Sequence, residues 1–234
     1  MFYFTRAAAG AGVPFGLAED FGRAAIWIAG SGLDPSGITA NALHELECGH
    51  SCLKASLTEV NKEILLTAEG GKQLSAIQAG AALCDLISAQ PENPKNMQSI
   101  VAENVDCPFL VCAAIGSANY DGWEISWPAS EEIPCSVLIC EDGSWKSSWN
   151  GREIPEQVAA ADVKILTVNN REEYYDKWDG KTVYSGNNKK QLLETGVPVY
   201  ESWSVIYSYF TRCLVPSTEE SRKTGAGAGL VDTD

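Results

Sequence analysis

The chain of 234 residues carries 31 acidic against 17 basic side chains, a net charge of −14, and is 45% hydrophobic. That balance excludes the clustered cations on which phosphate-backbone and anionic-membrane binding depend, so neither a nucleic-acid partner nor a membrane partner is expected. The longest apolar run, Cys107 to Gly116, is about half the ~18–20 residues of a membrane-spanning helix. The opening MFYFTRAAAGAG resembles a cleavage site in its small residues. It lacks the preceding positive charge and the longer apolar stretch of a signal sequence, which predicts a cytoplasmic protein.

In chain order, the first predicted helix covers Pro14 to Ile28. Leu17, Phe21, Ala24, Ala25 and Ile28 recur at helical spacing, with Gly16, Glu19, Arg23 and Trp27 on another face. Pro14 suits a first turn and the Gly30–Gly32 stretch supplies the stop. A second helix follows LDPSG and carries Leu43, His44, Leu46 and Glu47 before Gly49 ends it. Residues 62–68 read as a strand and 72–88 as a helix, with Leu74, Ile77, Ala81 and Cys84 in register. The loop 90–96, with two prolines, is the one plausible boundary between halves.

Beyond it the pattern changes to short strands. Trp123, Ile125 and Trp127 alternate with Glu124 and Ser126, and 135–140 and 163–168 are further apolar strands around the turn dipeptide Asp142-Gly143. A last helix keeps Trp203, Ile206, Tyr207, Phe210, Cys213 and Leu214 in register until Pro216. The predicted fold is α+β, a single domain over 1–234 with helices at both ends around a central, mostly antiparallel sheet.

Three groups of residues could carry chemistry. Glu19 and Arg23 form an i, i+4 pair one turn before Trp27, so a fixed guanidinium fork is on offer to a small carboxylate ligand. His44, Cys48, His50 and Cys52 are zinc-type ligands, but Gly49 breaks the helix that would align them. Cys107/Cys112 and Cys135/Cys140 are five apart, which in a strand puts the members on opposite faces. No metal and no cofactor is therefore expected, and the eight cysteines are read as reduced, buried thiols. The third group is the ending, Ser217 to Asp234. Its Gly225–Gly229 run follows a helix where a phosphate loop requires a preceding strand, which rules against a nucleotide loop. Ser217 and Glu220 form a capping box that would order Arg222. The tail is expected to be ordered against the first helix.

The stretches RAAAGAGVPFGLAEDFGRAAIWIA (6–29) and VPSTEESRKTGAGAGLVDTD (215–234) resemble the opening and closing motifs of an uncharacterised, mainly proteobacterial domain-of-unknown-function family. Its members begin near A-R-G-A-G-x-x-x-G-L-A-E-E-x-G-R-A and end near V-P-x-S-E-x-S-R-x-x-G-A-G-A-G-x-x-D-N-D. This chain departs at Ala9, at Thr218-Glu219 and at Thr233. The two motifs bracket the chain, so the resemblance implies one family domain and no particular chemistry. Two classes of function follow. In the first, a small-molecule metabolic enzyme binds a small carboxylate-bearing substrate through Arg23 and Arg222. Glu19, Asp20 or His44 transfers the proton, and the tail closes the cleft. In the alternative, seven tryptophans and eight tyrosines supply the contact surface of a non-catalytic homo-oligomeric accessory or ligand-binding module.

Overall fold

A computed structural model describes residues 1–61, 63–90, 99–128, 134–140, 143–149, 160–167, 178, 182–184 and 201–214. The tail with Arg222, the prolines of the 90–96 loop and Asp142 lie outside the described residues. Among those described, the helices are α1 (Phe2–Gly10), α2 (Phe15–Gly30), α3 (Ser36–Glu47), α4 (Ala76–Ser88), α5 (Pro108–Ser117) and α6 (Trp203–Thr211). The strands are β1 (Ser51–Cys52), β2 (Ala55–Val60), β3 (Glu63–Ala68), β4 (Gln73–Leu74), β5 (Ser99–Val105), β6 (Trp123–Pro128), β7 (Pro134–Ile139), β8 (Trp145–Ser147), β9 (Ala161–Thr167) and β10 (Thr182–Tyr184).

The strands form one mixed sheet in the order β1-β4-β5-β9-β6-β7-β8-β10, with β2 and β3 as a hairpin whose β3 lies parallel to β5. The β1–β4 and β4–β5 pairs are also parallel, and the remaining pairs are antiparallel. The fold is thus α+β with helices at both ends and a mostly antiparallel sheet. The parallel pairs all lie at the end of the sheet built by β1, β3, β4 and β5, where α4 and α5 follow β4 and β5.

Of the alternation expected for 123–127 the apolar half holds, while Glu124 is buried too, at 7% exposure; Ile125 is fully buried, as are its cross-strand neighbours Val137 and Ile165. Ile100, Ala102 and Val105 continue the same face on β5. On this face lie α2 and α5, and α4 packs against α5 through Gly80, whose bare backbone meets Ala114 and Val111. Only glycine fits there, since an added Cβ would lie 2.6 Å from the Ala114 methyl.

Three local readings change. The 72–88 segment begins as strand, because Gln73 and Leu74 pair with β1 and β5 before Ser75 starts α4. The 107–116 run is a helix, so the strand geometry expected for Cys107 and Cys112 does not hold: Cys107 is the N-cap of α5 and Cys112 lies inside it. The opening residues form α1, which packs on α2 and α6. There a Cβ on Gly10 would lie 2.0 Å from the Tyr209 carbonyl oxygen. No rotamer relieves a clash with backbone, so Gly10→Ala is expected to lower the urea midpoint by an amount worth roughly 1–3 kcal/mol. Gly16→Ala, with nothing within 4 Å of the new methyl, should leave the midpoint level or raised. Equal midpoints for the two variants would overturn this account of the α1–α6 contact.

Candidate functional site

Of the residues singled out on the first helix, Glu19, Asp20 and Arg23 share a groove and Trp27 does not line it. A groove of about 710 Å³ runs between α2, α4 and α5, and Glu19, Asp20 and Arg23 line it together with Cys84 and Asp85. The expected arrangement of Arg23 between Glu19 and Trp27 is not found. Arg23 donates to Asp20, three residues earlier, while Trp27 is buried beneath α5, against the backbone of Gly116. The groove therefore holds three carboxylates and one guanidinium that is already paired, a field that suits a cation better than a carboxylate. Burial first, and then the charges of Asp20 and Asp85, pushes the Cys84 thiol up to about 12, so it offers no thiolate at neutral pH.

His44 does not line that groove. It sits on the last turn of α3, where its Nε2 lies 3.6 Å from the Cys48 thiol. Gly49, with φ of 72°, then turns the chain, and His50 Nδ1 meets Glu45 Oε2 at 3.1 Å. Nearby on the same helix, Glu47 accepts from Tyr209 Oη at 2.8 Å and from Arg212, tying α3 to α6. The Arg212 hydrogen bond is the main reason the Glu47 carboxyl is held below the usual carboxylate range. No three His, Cys, Asp or Glu side chains among the described residues are grouped to hold a metal ion.

A third place has the chemistry that neither expectation named. At the parallel corner, β4 and β5 end side by side, with Leu74 opposite Val105. Just before that end β5 slips register between Ala102 and Val105. Asn104 takes φ of 51° and its N–H bonds Asp162 Oδ1. This bulge re-aims the strand, and Asp106 follows, its N–H on the Leu74 carbonyl. The carboxyl points into the N-terminal turn of α4, where Oδ1 accepts from the Ala76 N–H at 2.7 Å. Asp106 is 4% exposed and Oδ2 has no hydrogen-bond partner of normal geometry; the buried hydroxyls of Ser51 and Ser75 are likewise unpartnered.

Burial raises the Asp106 carboxyl to about 6, against the pull of the Ala76 N–H, the Ser51 hydroxyl and the Cys107 N–H; the charge of Glu45 adds to the rise. Cys107, the neighbouring residue, accepts a weak bond from Asn41 Nδ2 at 3.5 Å, and burial keeps it a thiol. Buried polar atoms are nearly always paired; here the Ser51 hydroxyl faces the Asp106 carboxyl without a bond of normal length, and the Ser75 hydroxyl has no partner, which sets this corner apart. It also lies at the carboxyl ends of parallel strands, between two helix N-termini, where open sheets bind ligands. Sequence reasoning passed over it because Asp106 stands alone between apolar runs and its partners are 30 and 55 residues away. The one available signal was an Asp immediately before Cys-Pro at a strand-to-helix junction.

No protein-family model matches the chain, and no curated protein matches it in sequence. Among solved structures it is similar to a proposed malate/lactate dehydrogenase from E. coli, with a TM-score of 0.53 and 11% identity over 95% of each chain. At that identity the likeness is one of fold, and it extends over nearly the whole chain. Among the described residues, no helix is long and apolar enough to cross a membrane.

Proposed function

We propose that the protein is a small-molecule metabolic enzyme acting on a small carboxylate-bearing substrate, with Asp106 holding the proton that the reaction moves. The observation that carries this is the buried Asp106 carboxyl, one oxygen fixed on the α4 N-terminus and the other unpartnered. A carboxyl raised toward neutrality at a structured corner is poised for acid–base work. Support for the substrate class comes from the fold neighbour, whose name is that of a proposed malate/lactate dehydrogenase. The terminal motifs add the further proposal that the chain belongs to the domain-of-unknown-function family they resemble.

Ligand-induced stabilisation tests the reading. L-Malate, L-lactate, pyruvate and oxaloacetate are the probes. One that binds should raise the melting point, with about 2.7 kcal/mol of stabilisation at a hundred times its Kd. Asp106→Ala should abolish the response. A response to diamines in place of carboxylates, lost in a Glu19→Gln/Asp85→Asn variant, would move the site to the α2 groove and refute the carboxylate reading. The non-catalytic alternative is favoured by a different observation, the exposed Phe2, Tyr3, Tyr207 and Leu214 of the α1/α6 face. It predicts concentration-dependent association in sedimentation velocity that Phe2→Ser/Tyr207→Ser disrupts, with no carboxylate response.

A further inference from the structure

The Asp106 corner poses a charge problem. A carboxylate ligand attracted by the N-terminal turns of α4 and α5 meets a second carboxyl already seated there, since Asp106 Oδ1 occupies the Ala76 N–H. Two carboxylates in contact in a water-poor site cannot both stay ionised; one of them keeps a proton. Small hydroxy and oxo acids are stronger acids than Asp106 in this setting, so the proton belongs on Asp106. Oδ2 is buried and makes no hydrogen bond of normal length, although the Ser51 hydroxyl faces the carboxyl. A protonated Oδ2 can donate to the ligand's carboxylate, with the Ser75 hydroxyl as an additional donor.

Resting on the carboxylate reading above, we propose that the corner binds its acid only together with one proton, taken up by Asp106 from solvent and shared with the ligand across Oδ2. The groups facing this carboxyl act in both directions: the Ala76 N–H, the Ser51 hydroxyl and the Cys107 N–H favour its ionised form, and burial outweighs them. Glu45 on α3 raises its proton affinity, as burial does. The Cys107 thiol at the start of α5 stays neutral. The Ala76 N–H on α4 holds Oδ1 and leaves Oδ2 as the protonated oxygen. His50 is paired with Glu45 at 3.1 Å and is removed in the test. The bookkeeping of the step is simple: one proton leaves the buffer, one O–H forms on Asp106, and no other bond changes.

Calorimetric titration of the full chain with pyruvate, L-lactate, L-malate and oxalate at pH 7.5, in phosphate and in Tris, reads the proton count from the difference in heat. Close to one proton is expected per ligand bound, and Kd should rise about tenfold for each pH unit above 6.5. His50→Gln should keep the uptake. Asp106→Asn, which presents a neutral amide donor at every pH, should bind without uptake and with a Kd level from pH 6.5 to 8. Binding by the native chain without proton uptake, or uptake that survives Asp106→Asn, overturns the proton coupling while leaving the carboxylate reading intact. No heat from any of the four acids overturns the carboxylate reading itself, and the coupling with it.

Discussion

Trp145→Ala is expected to cost about 3–5 kcal/mol, the range for removing a large aromatic from a packed interior, and to do so without touching any candidate site. Trp145 is 1% exposed and joins the sheet to the helical layer. Its ring stacks on Tyr184 of β10 with centroids 3.8 Å apart and planes within 9°, and on Trp27 of α2 at 5.1 Å. Phe109 of α5 and Trp149 close the cluster at 5.8 and 6.1 Å. The indole N–H donates to Ser31 Oγ at 2.8 Å, just past the end of α2, and that hydroxyl donates to the Trp27 carbonyl. Trp145→Phe keeps most of the ring contact and loses the hydrogen bond, worth roughly 0.5–1.5 kcal/mol. Urea denaturation should therefore rank native, Phe and Ala in that order, with Phe closer to native. A Phe variant as unstable as Ala would mean that the Ser31 bond, and not the stacking, holds β8 to α2.

The same residues show what was legible beforehand. Trp123, Ile125 and Trp127 alternate in the sequence with polar neighbours, and the three are buried in the structure, though Glu124 is buried with them. Helix α2 was legible from its apolar stripe, yet Trp27 was misplaced on the polar face. Gly116 on α5 leaves a gap that only the indole fills, with ring atoms within 2.4–2.7 Å of a would-be Cβ. Such pairing of a glycine with an indole 89 residues away has no local signature. Helix α5 was missed for a related reason: it is apolar on every side, so neither period stands out, and its Pro108 at the first turn was the only boundary mark. Of the proposed site residues, Glu19, Asp20 and Arg23 line one groove because helical spacing alone places them together, although Arg23 pairs with Asp20 and not with Glu19. The corner built by Ser51, Ser75 and Asp106 depends on strand order, and β1 and β4 are two-residue strands that no periodicity can reveal.

The remaining large effect is expected at that corner. The folded chain raises the Asp106 carboxyl from 3.8 to about 6, so folding takes up a proton across that interval. The native state binds more protons than the unfolded chain there, and the slope of stability with pH is negative. The contribution is fully present below the unfolded value and is lost as pH rises through about 6. A shift of about two units amounts to about 3 kcal/mol. Asp106→Asn keeps an oxygen acceptor for the Ala76 N–H and puts a neutral amide where Oδ2 stood, with the Ser51 and Ser75 hydroxyls as acceptors. The variant should match the native chain near pH 4 and exceed it by up to about 3 kcal/mol near pH 8. Taking the difference between the two chains at each pH cancels the groups they share, including Glu47, whose lowered carboxyl works in the opposite sense at lower pH. A difference that stays constant from pH 4 to 8 would show that Asp106 ionises as freely folded as unfolded. A difference that grows as expected means the chain retains, in its interior, a carboxylate that destabilises it at neutral pH. Such a cost is the mark of a group kept for its chemistry rather than for the fold.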